Sequence, residues 1–242
     1  MSRNVLIPIV AVVALALLGA AGAYAYFFSG LRASPTSLAL SSPSATPAAS
    51  GSPSTTTAGA GTWKVASGSL VGYRVKEQFA GQSSTHDAVA RTSEVSGQVT
   101  ITKSGDTYEM TSAKITVQLA NLASVDTVAG FNVRTRDGIV QRSLDVSSFP
   151  TAVFVAQSAE LPQAAATGQT VTVSVPGQLT VHGVTKDVTA TVQLRVSAST
   201  AQLAGSIVTN MTDFGISPPQ VSITVVQPAV TIEFQLNLTS AS

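Results

Sequence analysis

His86 and His182 are the only imidazoles in the chain, and no cysteine can join them. Either could serve with Asp87 as a metal ligand or with a serine as a base, but the spacing offers no HxH, HExxH or GxSxG arrangement. No pair of acids stands in an evident shared role either. The residues therefore predict no catalytic set and no metal site, with His182 a hydrogen-bonded turn residue and His86 part of a polar loop over residues 81–87. The denser polar group is Arg134-Thr135-Arg136-Asp137. A guanidinium and a carboxylate at this spacing can form a directional two-pronged bridge, acting as scaffold or as a contact for a ligand head group.

Charge narrows the function further. From residue 62 onward there are eleven Lys and Arg against twelve Asp and Glu, with no basic run interleaved with aromatics, so nucleic acid is not an expected partner. The absence of cysteine excludes a disulfide-built scaffold and a cysteine-acylated lipoprotein.

The elements that would position these residues are strands. Residues 177–196 alternate polar and apolar side chains on both sides of Gly183 and predict a hairpin, with Gly183 and residues 184–187 supplying the turn. A period of two also marks 70–75, 94–102, 108–119, 153–155, 171–175, 201–210, 221–226 and 230–238. Between Asn121 and Val146 the alternation fails, which predicts a long connection with one or two short helices. About eight strands joined by turns imply an all-β antiparallel domain over residues 62–242, and the pattern alone fits either a barrel or a sandwich.

Ahead of this domain, Val5 to Phe28 carries no charged residue and ends in Tyr24, Tyr26, Phe27 and Phe28. A helix of that length could cross a hydrocarbon layer of roughly 30 Å. The expectation is an N-terminal transmembrane helix within residues 1–28, a single-pass anchor in the cytoplasmic membrane with the C-terminal domain extracytoplasmic. The alternative is a signal sequence cleaved after Ala23-Tyr24-Ala25, giving a secreted domain. Residues 29–61, rich in Ser, Pro, Thr and Ala, predict a disordered linker.

Four stretches in order resemble the YceI-like family of extracytoplasmic, polyisoprenoid-binding domains. They are Ser69 to Val75; Arg136-Asp137 followed by Leu144-Asp145 and Phe149-Pro150; Gly177 to Lys186; and Asp213 to Ile216. The sequence departs from the family pattern after the first strand, where Lys76-Glu77 stand in place of a frequent histidine. The resemblance implies an extended eight-stranded antiparallel β-barrel of lipocalin-like shape with a short helical connection. It also implies a noncatalytic domain that binds, carries or senses an isoprenoid or related long-chain lipid amphiphile in the bacterial cell envelope, with no cofactor. Candidate cavity residues are Tyr73, Val75, Phe79, Phe131, Leu144, Phe154 and Phe214; polar structural or head-group candidates are Arg134, Arg136, Asp137 and His182. The alternative is a structural or protein-interaction domain in which the same side chains fill the core.

Overall fold

The computed structural model describes residues 13–24, 32–41, 59–80, 84–128, 131–197, 199–221 and 224–241. Ten longer strands carry the domain: β1 Gly61–Val65, β2 Leu70–Phe79, β3 Thr85–Thr92, β4 Val95–Ser104, β5 Thr107–Gln118, β6 Thr151–Ala156, β7 Val171–Val181, β8 Val184–Val196, β9 Thr200–Asn210 and β10 Thr224–Ser240. Two α-helices are described, α1 over residues 13–24 and α2 at Thr135–Ser143.

β1 and β2 pair with the same edge of β10, at Val65↔Leu238 and Tyr73↔Ile232. They are two arms of one stave, bent at residues 66–69. The bend is tied to β10 by Ala66 N–H donating to Asn237 O (2.8 Å) and Asn237 N–H donating to Ser69 Oγ (3.0 Å). β3 and β4 form the next stave in the same way, pairing with β2 and β1 respectively. The ladder then runs β4–β5–β6–β7–β8–β9–β10, every step antiparallel, and β10 returns to β1 and β2. Among the described residues this makes eight staves in a closed up-and-down barrel. Closure answers the barrel-or-sandwich question and leaves no exposed edge along the circuit.

The period of two in the sequence becomes the inside and outside of the barrel. On β2, Val71, Tyr73, Val75, Glu77 and Phe79 line the interior, and on β10 Ile232, Phe234, Leu236 and Leu238 do so. The expected hairpin forms as β7 and β8, but its turn is tighter than the expected five residues. Val181 pairs with Val184, so His182 and Gly183 alone make the turn, both with positive φ (51° and 73°), and Thr185–Asp187 belong to the strand. A two-residue loop with both residues in this region matches the right-handed twist of its strands.

The connection between β5 and β6 holds α2, as expected from the lost alternation. Ahead of the helix Asn132 Oδ1 accepts from Arg134 N–H (3.1 Å), and Asp137 in the first turn and Arg142 in the last complement the helix dipole. Two short ladders precede it, Ala123–Ser124 on β3 and Thr127–Val128 on Arg32–Ala33.

The expectation of a single-pass membrane anchor is corrected. Among the described residues no helix is long and apolar enough to cross a membrane. The ends of the expected span, residues 5–12 and 25–28, lie outside the described residues, as does most of the expected linker. Of its described residues, 32–41 follow the outer wall of the barrel and 59–61 lead into β1, which starts at Gly61.

Candidate functional site

The interior encloses a cavity of about 390 Å³ bounded by all eight staves and by α2. Its wall is apolar almost throughout. Inward-facing Ile115, Phe154, Val173, Leu203, Ile232 and Phe234 pack against the core on one side yet are only half-buried, because part of each lines the cavity. The same holds for Ile139, Val140 and Leu144, so α2 has no fully buried residue despite covering the barrel. A filled core at a packing density near 0.75 would bury these side chains completely. The geometry therefore favours the hollow arrangement over the filled one.

All seven residues expected around a cavity stand on its wall: Tyr73, Val75 and Phe79 from β2, Phe131 and Leu144 flanking α2, Phe154 from β6, and Phe214 from the short helical turn after β9. Phe154 has room because it crosses Gly177, where a Cβ would come within 2.7 Å of its Cζ. Phe131 stacks on Phe79 with ring centroids 5.3 Å apart and is 46% exposed, which places it at the rim.

At this rim four charged or polar side chains converge. Glu77 comes from β2, His86 from β3, Asp126 from the connection and Arg136 from α2. Arg136 donates from Nη1 to Asp126 Oδ1 (2.7 Å) and from Nη2 to Asp126 Oδ2 (3.2 Å) and Glu77 Oε1 (2.6 Å). His86 Nε2 donates to Asp126 Oδ2 (2.8 Å), and Val89 N–H donates to Asp126 Oδ1 (3.2 Å). Glu77, His86 and Asp126 are all buried. Burial opposes ionisation of Asp126, but the hydrogen bonds from His86 and Arg136, the guanidinium charge and the Val89 amide outweigh it and lower the carboxyl to about 2. For Glu77 burial prevails over Arg136 and raises the carboxyl above its ordinary value. Burial likewise raises the Tyr73 phenol, whose Oη is buried and lacks a hydrogen-bond partner among the described residues.

Ligand atoms of Glu77, His86 and Asp126 lie within 4.8 Å of one another, as a metal site would require. Their oxygens, however, already accept from Arg136. A cation there would have to displace a guanidinium that bridges both carboxylates, so the cluster is an ion-pair clasp holding α2 to β2 and β3.

The family model for the YceI-like domain matches residues 63–238. The chain belongs to the YceI-like family. Among solved structures it is similar to a polyisoprenoid-binding domain from Saccharophagus degradans implicated in plant cell wall breakdown, at 15% identity over 74% of this chain and 98% of that one, with a TM-score of 0.53. It is also similar to BcnA of Burkholderia cenocepacia, at 20% identity over 68% of this chain and 95% of that one, with a TM-score of 0.47. No curated protein matches the chain.

The YceI-like Arg-Asp pair in the β5–β6 connection divides its work. Arg136 turns inward to Asp126 and Glu77, while Asp137 accepts from Ser124 N–H (2.9 Å) and Ser124 Oγ (2.6 Å) on the adjoining short strand. Arg134 stays largely exposed, 3.7 Å from Asp137. His182 stands apart from the cluster in the β7–β8 turn, its Nδ1 3.2 Å from Phe214 O and its ring against Phe149. His86 departs from the expected polar loop: it lies in β3, opposite Glu77. Sequence reading missed Glu77, His86 and Asp126 as partners of Arg136. Glu77 could have been found by parity, being the one acid in the inward register of β2. Asp126 had no such signal.

Proposed function

We propose that this YceI-like barrel binds one long-chain amphiphile, an isoprenoid or related lipid, without catalysis. The observation that carries the proposal is the enclosed apolar cavity of about 390 Å³, within the range of small-molecule sites. A hydrocarbon tail placed there leaves water at roughly 25 cal/mol per Å² of buried apolar surface, before losses of mobility. Tyr73 Oη, near the Glu77–Arg136 clasp, supplies an unsatisfied donor for a polar head. The ionisable groups of the clasp are engaged with one another, which suits wall and anchor better than acid–base chemistry. The polyisoprenoid-binding domain of Saccharophagus degradans supports the same ligand class through a shared fold.

The test is native mass spectrometry of the full-length chain purified without added lipid, followed by extraction and identification of whatever is bound. One amphiphile per chain, carried over or taken up from an isoprenoid alcohol, is the expected result. A folded chain that neither retains nor takes up isoprenoid or fatty amphiphiles would defeat the proposal.

A further inference from the structure

Residues 32–41 run across the outside of the barrel and are held mainly through their backbone. Arg32 and Ala33 pair antiparallel with Val128 and Thr127. Arg74 Nη2 donates to Pro35 O (2.7 Å), Arg91 Nη2 to Thr36 O (2.6 Å) and Arg195 Nη2 to Ser41 O (2.7 Å), while Ser34 Oγ donates to Asp87 O (2.6 Å). Two of these arginines also pair with Glu233, which is 2% exposed although it faces outward from β10. The Arg74 bond to Pro35 is partly buried, and the Arg91 and Arg195 bonds to Thr36 and Ser41 lie at the surface; all three are charge-assisted, which makes each stronger than a neutral hydrogen bond.

The upstream end of this strap grips the rim of the cavity. Thr127 and Val128 directly follow Asp126, the centre of the clasp, and Val128 bridges to Phe131, which stacks on Phe79. Upstream of Asp126 the connection is fastened to β3 through Ser124↔Ala90; at 127–128 its ladder partner is the strap. The rim segment thus links the strap, through Thr127 and Val128, to α2, through Asp126 and Arg136.

We infer that residues 32–41 are a latch on the cavity: docked, they hold Asp126, Val128 and Phe131 closed over the opening, and undocked they free this rim for ligand entry and exit. The gating part rests on the barrel taking an amphiphile, whereas the mechanical coupling of strap to rim does not. Anything that pulls on or competes for the N-terminal segment then acts on ligand exchange through the Arg32–Ala33 ladder.

The chain has no native cysteine, so the latch can be locked cleanly. Ala33→Cys with Thr127→Cys places two cysteines at directly paired ladder positions, where Cα spacing suits a disulfide. In the full-length chain, oxidation is expected to slow release of all-trans-retinol by about tenfold against the reduced form, the scale of securing two main-chain hydrogen bonds. Deletion of residues 32–41 is expected to speed release by a similar factor. Amide hydrogen exchange at Val89 and Phe131, which needs no ligand, is expected to slow on oxidation and quicken on deletion. Unchanged exchange at both amides across the oxidised, reduced and deleted forms overturns the latch. Retinol binding with unaffected release also overturns the gate and leaves the binding function standing. If the amides respond and retinol does not bind, the amphiphile reading fails and the coupling stands.

Discussion

The two ends of the barrel are built from the same staves and differ in what closes them. At the end where β1 begins, Trp63 is 2% exposed and donates from Nε1 to Gly59 O (3.1 Å), and Tyr108, Leu161, Leu194, Val196 and Ala165 pack nearby. The residual void among these side chains is about 10 Å³, too small for more than one water. At the other end β2 finishes at Phe79, and closure falls to α2, Phe131 and the Arg136 clasp, around a space of about 390 Å³. A fully buried aromatic ring with its hydrogen bond, forming the floor of the cavity, closes this end. A short helix with half-buried aliphatics and a four-residue polar clasp covers the other end without filling it.

Breaking the sealed end should cost most. Trp63→Ala removes the largest buried side chain of the core and is expected to destabilise the fold by about 3–5 kcal/mol, read as a lowered urea midpoint. At the open end, Asp126→Asn leaves Arg136 and Glu77 imperfectly matched, an expected loss of about 3 kcal/mol at neutral pH. The carboxyl of Asp126 is lowered in the folded state, so its contribution is present above its ordinary value of 3.8 and is lost as pH falls to about 2. Denaturation curves of wild type and Asp126→Asn should therefore converge by about pH 2; a constant gap across that range would remove the clasp from the cause. Glu77 acts with the opposite sign, since its raised value means that protonation on acidification favours the folded state.

Two smaller substitutions sharpen the contrast within the open end. Gly183→Ala puts a Cβ where φ is 73° and Phe149 Cε1 would lie 2.6 Å away, and is expected to lower stability by about 1–2 kcal/mol in thermal unfolding. Phe131→Ala, at a half-exposed rim position, should change stability by less than about 1 kcal/mol. It should nonetheless weaken uptake of a fluorescent isoprenoid alcohol in a titration. A large loss of stability would show Phe131 to be core packing instead of rim.

Much of the barrel could be read from the chain because its strands face a clear inside and outside. The alternation over 230–238 became part of a stave, and the run from Gly177 to Val196 formed the expected antiparallel hairpin. The width of the His182–Gly183 turn escaped, since Thr185 and Lys186 are as acceptable in a turn as in a solvent-facing strand. The clasp was half legible: Arg136 and Asp137 drew attention as a neighbouring pair, yet Arg136 reaches Asp126 ten positions upstream and Glu77 across 59 positions, contacts made only when the connection folds back over β2 and β3. The hollow interior was not legible, because the aliphatic alternation that lines a cavity is identical to the one that fills a core. The docked strap was hidden for another reason. Leu38 and Leu40 are the only large apolar side chains in a stretch otherwise made of Ser, Pro, Thr, Ala and Arg32, and here the barrel's arginines hold it by its carbonyl groups.

Filling the cavity is the most direct test of whether its emptiness is the function. Leu203→Trp together with Ile232→Trp adds volume at two half-buried inward positions of β9 and β10, facing space in the native wall. Uptake of one isoprenoid alcohol per chain by the wild type, measured by titration, should be lost or greatly weakened in this variant, with its unfolding temperature unchanged or raised. Undiminished binding would contradict an internal site, and a collapse of stability would contradict the hollow itself.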